Sequence, residues 1–171
     1  HYAISGLVRS YFPKGCAVLE VGCGYASVLP LLPAENLRYT GLDLSAEVIQ
    51  ACGELHQGSN AKFIQTRFEC FDGKETFDVV LASEVLYYYP ISELPSVIRK
   101  LLSLLGPHGI LVVTMNRNPK SWIAWFILSR LANRLEKLAA MNATGSRWTI
   151  CVFRPFPSVD ENVAVDYGKQ D

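Results

Sequence analysis

Two carboxylates and two glycines are spaced in this chain to suit one kind of ligand. Glu20 stands two residues before Gly22, Gly24 follows, and Asp43 lies about twenty residues further on. A carboxylate beside a glycine turn repels a pyrophosphate but attracts an ammonium group or another cation. An acid at the tip of the next strand is where the two hydroxyls of a ribose find their acceptor. The implied ligand therefore carries a ribose and a cationic end. A dinucleotide fingerprint would want a third glycine where Ser27 stands. The competing role for Asp43 is to cap a turn or the following helix. Cys23, between the glycines, reads as a small filler rather than a nucleophile.

These residues need a strand, a turn and a helix to position them. Residues 16–21 are apolar except Glu20 and follow Pro13-Lys14-Gly15, which predicts a short buried strand. Gly22 and Gly24 supply the positive φ or close approach that ends it. Residues 26–32, closed by Pro30 and Pro33, predict a short helix whose free N–H groups point back at the turn. Residues 37–42 predict a second strand that delivers Asp43. The reading requires Glu20 and Asp43 to face one cavity.

Four stretches extend this pattern: EVGCGYA from Glu20, GLDLS from Gly41, FDVVLASEVL from Phe77 and LGPHGILVV from Leu105. In order and spacing they resemble class I S-adenosylmethionine-dependent methyltransferases over roughly residues 15–115. The resemblance implies S-adenosylmethionine as cofactor, S-adenosylhomocysteine as product, and direct in-line methyl transfer to a small-molecule acceptor. It implies a cofactor site of Glu20, Gly22, Cys23, Gly24, Asp43, Leu44, Phe68 and Ser83. Leu44 would lie against the adenine, Phe68 would offer it a backbone N–H, and carbonyls at Ala82 and Ser83 would hold the methionine ammonium. Arg67 stands where the family has an acid, with Glu69 as its displaced counterpart. The catalytic candidates are Glu84, which could pair with the ammonium or act on the acceptor, and Tyr88, at a position where many relatives carry histidine. The stretch from Glu84 to Tyr88 also resembles small-molecule N-methyltransferases, including those acting on nodulation oligosaccharides.

The rest of the chain supplies the frame. Residues 2–12 predict a short N-terminal cap helix with Ile4, Leu7, Val8 and Tyr11 on one side. Ser45 is expected to cap a helix over 46–55, and Ser92 another over 93–105. Strands are expected at 61–65, 77–82 and 110–115. Residues 122–133 predict a helix apolar nearly all round and buried on more than one side. A core role, a lid over an apolar acceptor and a homodimer contact through 122–131 are the readings open for it. Residues 135–141 and 147–154 flank an Asn142–Gly145 turn, which predicts a closing hairpin. The expected fold is α/β: a Rossmann-like, doubly wound, mostly parallel seven-stranded sheet with a C-terminal antiparallel hairpin and helices on both faces. Residues 1–155 are expected to form one domain, and 156–171 a polar, acidic tail.

Composition bounds the alternatives. The chain has 171 residues, 50% of them hydrophobic, and a formal net charge of zero. No basic stripe supports a nucleic-acid partner. The 5 cysteines are scattered and form no Cys-x-x-Cys pair, which points to reduced thiols and a cytoplasmic protein rather than disulfides. No signal peptide or apolar run long enough for a membrane span is visible. The chain starts at His1 rather than Met, which leaves room for a preceding segment. No acid cluster follows the fourth strand, so no metal is suggested. Two other functions use the same features: a nucleotide-cofactor (NAD-type) oxidoreductase, and a non-catalytic methyltransferase-like binding protein.

Overall fold

Apolar runs bounded by glycine, proline and polar turns become the strands of one sheet. The computed structural model describes residues 1–157; most of the expected acidic tail lies outside the described residues. Five strands run parallel: β1 (Ala17–Val21), β2 (Arg38–Asp43), β3 (Ala61–Gln65), β4 (Phe77–Ser83) and β5 (Leu105–Asn116). An antiparallel hairpin, β6 (Ala132–Met141) and β7 (Arg147–Pro155), joins through β7 beside β5. The order is β3-β2-β1-β4-β5-β7-β6, the expected doubly wound sheet with its closing hairpin. The strand order reverses direction between β1 and β4. Ligands of open α/β sheets sit outside the carboxyl ends at such a point.

Helices cover both faces. On one, α1 (Tyr2–Tyr11) and α2 (Ala46–Leu55) set Ile4, Leu7, Val8 and Cys52 against Val18, Val79 and Val112. On the other, α3 (Leu94–Ser103) and α4 (Pro119–Leu131) set Leu94, Ile98, Leu101, Ala124 and Leu128 against Leu19, Val80 and Leu111. Each such leucine or isoleucine contributes roughly 1.5–3 kcal/mol by leaving water. Ser45 caps α2 as expected, its Oγ accepting from the Val48 N–H at 3.2 Å.

Three local expectations are corrected. No α-helix follows the glycine turn; residues 26–32 hold only a 3-10 turn at Leu29–Leu31. Pro30 and Pro33 remove the N–H donors a longer helix would need. Ser92 does not cap α3, which starts at Leu94 after Glu93 without a side-chain cap. Pro95 already fills its first turn, where a missing N–H costs nothing. Finally, α4 is not buried on several sides. Ser121, Ala124 and Leu128 face inward, while Trp122 and Phe126 remain 66% and 61% exposed. It stops at Leu131, and β6 begins at Ala132.

Candidate active site

A cavity of about 430 Å³ opens at the carboxyl ends of β2, β1 and β4. That volume lies within the roughly 300–1,000 Å³ typical of small-ligand pockets. Gly22, Asp43, Leu44, Phe68, Ser83, Glu84 and Tyr88 all line it. Glu20, Cys23 and Gly24 do not.

Asp43 reaches the cavity from the tip of β2 with its carboxylate already oriented. Its Oδ2 accepts from the Gly24 N–H and its Oδ1 from the Ser45 N–H, both at 3.0 Å. The turn-capping role is therefore real, and it coexists with a place on the cavity wall. A carboxylate has about four lone-pair sites, so two backbone donors leave capacity for two hydroxyls. Three backbone N–H groups of the turn are already engaged. Cys23 N donates to Leu42 O at 2.9 Å, Gly24 N is taken by Asp43, and Ala26 N donates to Cys23 O at 2.8 Å. The free helix N–H groups expected here are absent because the helix is absent.

Glu20 does not share the cavity with Asp43, so the pairing the sequence required is not made by these two residues, and any carboxylate facing Asp43 must come from another strand. Successive strand residues alternate faces; Val21 lines the cavity and Glu20 points the other way. Its side chain is buried and accepts a hydrogen bond from the Tyr39 hydroxyl. Burial pushes its carboxyl up to about 7, against the lowering effect of the Tyr39 bond. In the β1–β2 register Glu20 lies opposite Gly41, and a Cβ on Gly41 would come within 2.9 Å of the Cys23 sulfur. Cys23 thus fills the space behind the turn, its thiol raised by burial first and by Glu20 next. That is the filler role expected of it.

Besides Asp43, the cavity is lined by Glu69, Glu84 and Glu93, and of these Glu84 stands at a strand end, just past β4. Asp43 and Glu84 stand on strands separated by β1, two inter-strand spacings or on the order of 10 Å apart. Tyr87 donates to Glu84 Oε2 at 3.1 Å and Thr114 Oγ1 to Oε1 at 3.4 Å, and Ser83 Oγ lies 2.9 Å from Thr114 Oγ1. Burial, then the Glu84 charge, keeps the Tyr87 hydroxyl protonated. Glu84 adopts φ 57°, a left-handed conformation costing an ordinary residue roughly 1–2 kcal/mol. Such strain persists where the surroundings over-determine the conformation, as they do at functional sites. Tyr88 stands at the rim, 76% exposed, its ring 4.8 Å from that of Tyr87.

Tyr89, Arg67 and Glu69 belong to the wall as well. Tyr89 lines the cavity, and its hydroxyl is raised to about 12 by burial and then by Glu69. Arg67 and Glu69 both line it too, the Arg67 Nε 3.4 Å from Glu69 Oε2. The arginine in the acid's place thus carries its own neutralising partner. Gly22 has φ +68°, and a Cβ there would come within 3.0 Å of Val85 Cγ2. Gly22→Ala is expected to lower stability by about 1–2 kcal/mol, read as a lower urea midpoint at unchanged slope. An unchanged midpoint would mean the turn does not need glycine.

Taken together, the walls fit a nucleoside with a cationic end. Leu42, Leu44, Phe68 and Val85 offer apolar surface, Asp43 and Glu84 offer separated carboxylates, and Arg67, the one basic lining residue among the described residues, is paired with Glu69. Comparison with known proteins gives this fit a family. A family model described as "Methyltransferase domain" matches residues 19–111, more than half of the chain. The ubiquinone biosynthesis O-methyltransferase of Serratia proteamaculans (strain 568) is 34% identical over 111 residues, covering 62% of this chain and 45% of that protein. The chain spans about half the length of the curated relatives it matches. The N-methyltransferase NodS from Bradyrhizobium japonicum WM9, solved with S-adenosylhomocysteine, superposes with a TM-score of 0.75 at 21% identity, covering 89% of this chain and 85% of that one. The [4+2]-cyclase SpnF superposes equally well, with a TM-score of 0.75 at 16% identity over 92% and 82% of the two chains. Likeness at these identities speaks to fold alone. By the domain match and by this fold, the chain belongs to the methyltransferase-domain family.

Proposed function

We propose that this protein binds S-adenosylmethionine and methylates a small-molecule acceptor by direct in-line displacement. One observation carries the reading: Asp43, Gly22, Ser83 and Glu84, from the ends of three adjacent strands, surround one ligand-sized cavity. Asp43 would accept from the ribose hydroxyls, Leu44 and Phe68 would wall the adenine, and Gly22 and Ser83 would receive the methionine end. When bound, the sulfonium supplies an electrophilic methyl group. The protein's part is then mostly positioning, which can contribute several kcal/mol to the barrier. Glu84 takes the acceptor's proton, and Tyr88 flanks the approach from the rim. Because a cyclase shares the fold, the activity rests on these residues rather than on the architecture.

The dinucleotide alternative is disfavoured by the engaged N–H groups of Cys23, Gly24 and Ala26 and by the carboxylate-lined walls. We also place the protein in a reducing compartment, the cytoplasm, since Cys16, Cys23, Cys52, Cys70 and Cys151 are all free thiols. Among the described residues no helix is long and apolar enough to cross a membrane. Calorimetry tests the reading: S-adenosylhomocysteine should bind and NAD should not. Asp43→Ala should weaken that binding by about 1.5–3 kcal/mol with the fold retained by circular dichroism, the usual worth of hydrogen bonds to a charged group. Unchanged affinity would remove Asp43 from the site. Transfer of a tritiated methyl group to pooled metabolites would then separate an enzyme from a non-catalytic binder.

A further inference from the structure

A second, larger cleft of about 560 Å³ lies between α4 and the β6–β7 hairpin and shares no lining residue with the first. Methyl transfer as read above does not use it. All 3 tryptophans of the chain, Trp122, Trp125 and Trp148, line it. Trp125 is anchored by stacking on Phe153 at 6.2 Å, while Trp122 stands largely in solvent. Four cations share the walls: Arg117, Arg134, Lys137 and Arg147. No carboxylate lines the cleft, and among the described residues none of the four has a carboxylate within ion-pair distance.

This charge is local. The chain as a whole is neutral, yet between residues 117 and 147 Glu136 alone answers a run of arginines and lysines. Glu136 is itself engaged elsewhere, accepting from the Tyr11 hydroxyl at 2.6 Å. The cations also reach the cleft floor: burial raises the Cys151 thiol to about 11, while Arg134 and Lys137 pull it the other way. Flat indole surfaces recognise planar apolar groups, and unpaired guanidinium and ammonium groups recognise acids. A cleft combining both, with no negative charge of its own, selects for a molecule that combines the complements.

We propose that this cleft is a binding site for a planar aromatic molecule bearing an acidic group, a carboxylate or a phosphate. The site stands apart from the methyl-transfer reading and does not rest on it. Arg134 and Lys137 take the acid, and Trp122 and Trp125 take the ring.

The tryptophans make the test direct, because the tryptophan emission of the chain, excited selectively, arises from this cleft alone. Titration with 3-phenylpropionate should change the tryptophan emission saturably, and the neutral analogue 3-phenylpropanol should bind about tenfold more weakly or worse. The exposed double variant Arg134→Gln/Lys137→Gln should lose that discrimination while unfolding at the same urea midpoint as the parent. Binding of S-adenosylhomocysteine, measured in parallel, should be unaffected by the double variant, so failure at one site is told from failure at the other. Equal response to the acid and the alcohol, or no saturable response, overturns the proposal. So does an emission shift seen only with phosphatidylglycerol vesicles, which would make this face a lipid-surface contact. A shift that follows protein concentration alone would make it a contact between copies and overturns it equally.

Discussion

Glu84→Gln is expected to slow methyl transfer by about 10²-fold or more, the usual worth of a positioned general base, with S-adenosylhomocysteine affinity nearly unchanged. The geometry gives the reason. Glu84 is held in a left-handed conformation at the mouth of the cavity, its oxygens steadied by Tyr87 and Thr114. Glutamine keeps the shape and one acceptor oxygen but cannot take a proton. The amide oxygen can accept from one of the two hydroxyls and the amide NH2 can donate to the other, so the side chain stays oriented and a loss of rate reports chemistry rather than collapse. Single-turnover rates with saturating cofactor, set beside calorimetric affinity for the product, make the distinction. Equal losses in both would turn Glu84 into a ligand of the methionine ammonium. An unchanged rate would mean the acceptor arrives without a proton to lose.

The parallel sheet was legible because its strands are short apolar runs with breakers on both sides, and α2 because Ser45 could be named as its cap. Asp43 was legible because its position depends only on where β2 ends. Glu20 was misread for a reason the strand itself contains. Alternation puts neighbouring residues on opposite faces, and with Val21 on the cavity wall Glu20 must turn away. Its partner Tyr39 could have been found from the glycine opposite it: in register with Glu20, Gly41 leaves that face free of a side chain. The missing helix was written in Pro30 and Pro33, which do more than close a helix: so near its start they leave room only for the 3-10 turn at Leu29–Leu31. Other features were not readable from residue types at all. Glu84 and Ala26 take positive φ, at 57° and 50°, although neither is glycine, because tertiary packing outranks local preference there. The exposure of Trp122 and Phe126 is equally a matter of where α4 lands, since a helix apolar all round does not announce which side meets the sheet.

Removing the buried charge at Glu20 gives the second large effect, and it falls on stability. The carboxyl titrates at about 7 in the folded chain against 4.5 ordinarily, chiefly because burial disfavours its charged form. Below about pH 4.5 both folded and unfolded chains hold the proton, and the group's contribution is fully present. As pH rises toward 7 the unfolded chain releases its proton first, so it binds fewer protons and stability declines. Above 7 the decline is complete, and over such an interval it amounts to about 3 kcal/mol at roughly 1.4 kcal/mol per pH unit. Glu20→Gln keeps an oxygen to accept from the Tyr39 hydroxyl but has nothing to ionise. The variant is therefore expected to match the parent at acid pH and to exceed it by about 3 kcal/mol above pH 7, a rise in melting temperature of roughly 6–12 °C for a chain of this size. Urea denaturation across the pH range checks this. Parallel curves for parent and variant would show that Glu20 keeps an ordinary carboxyl in the fold, and the hydrogen bond from Tyr39 would then be one to a stable anion.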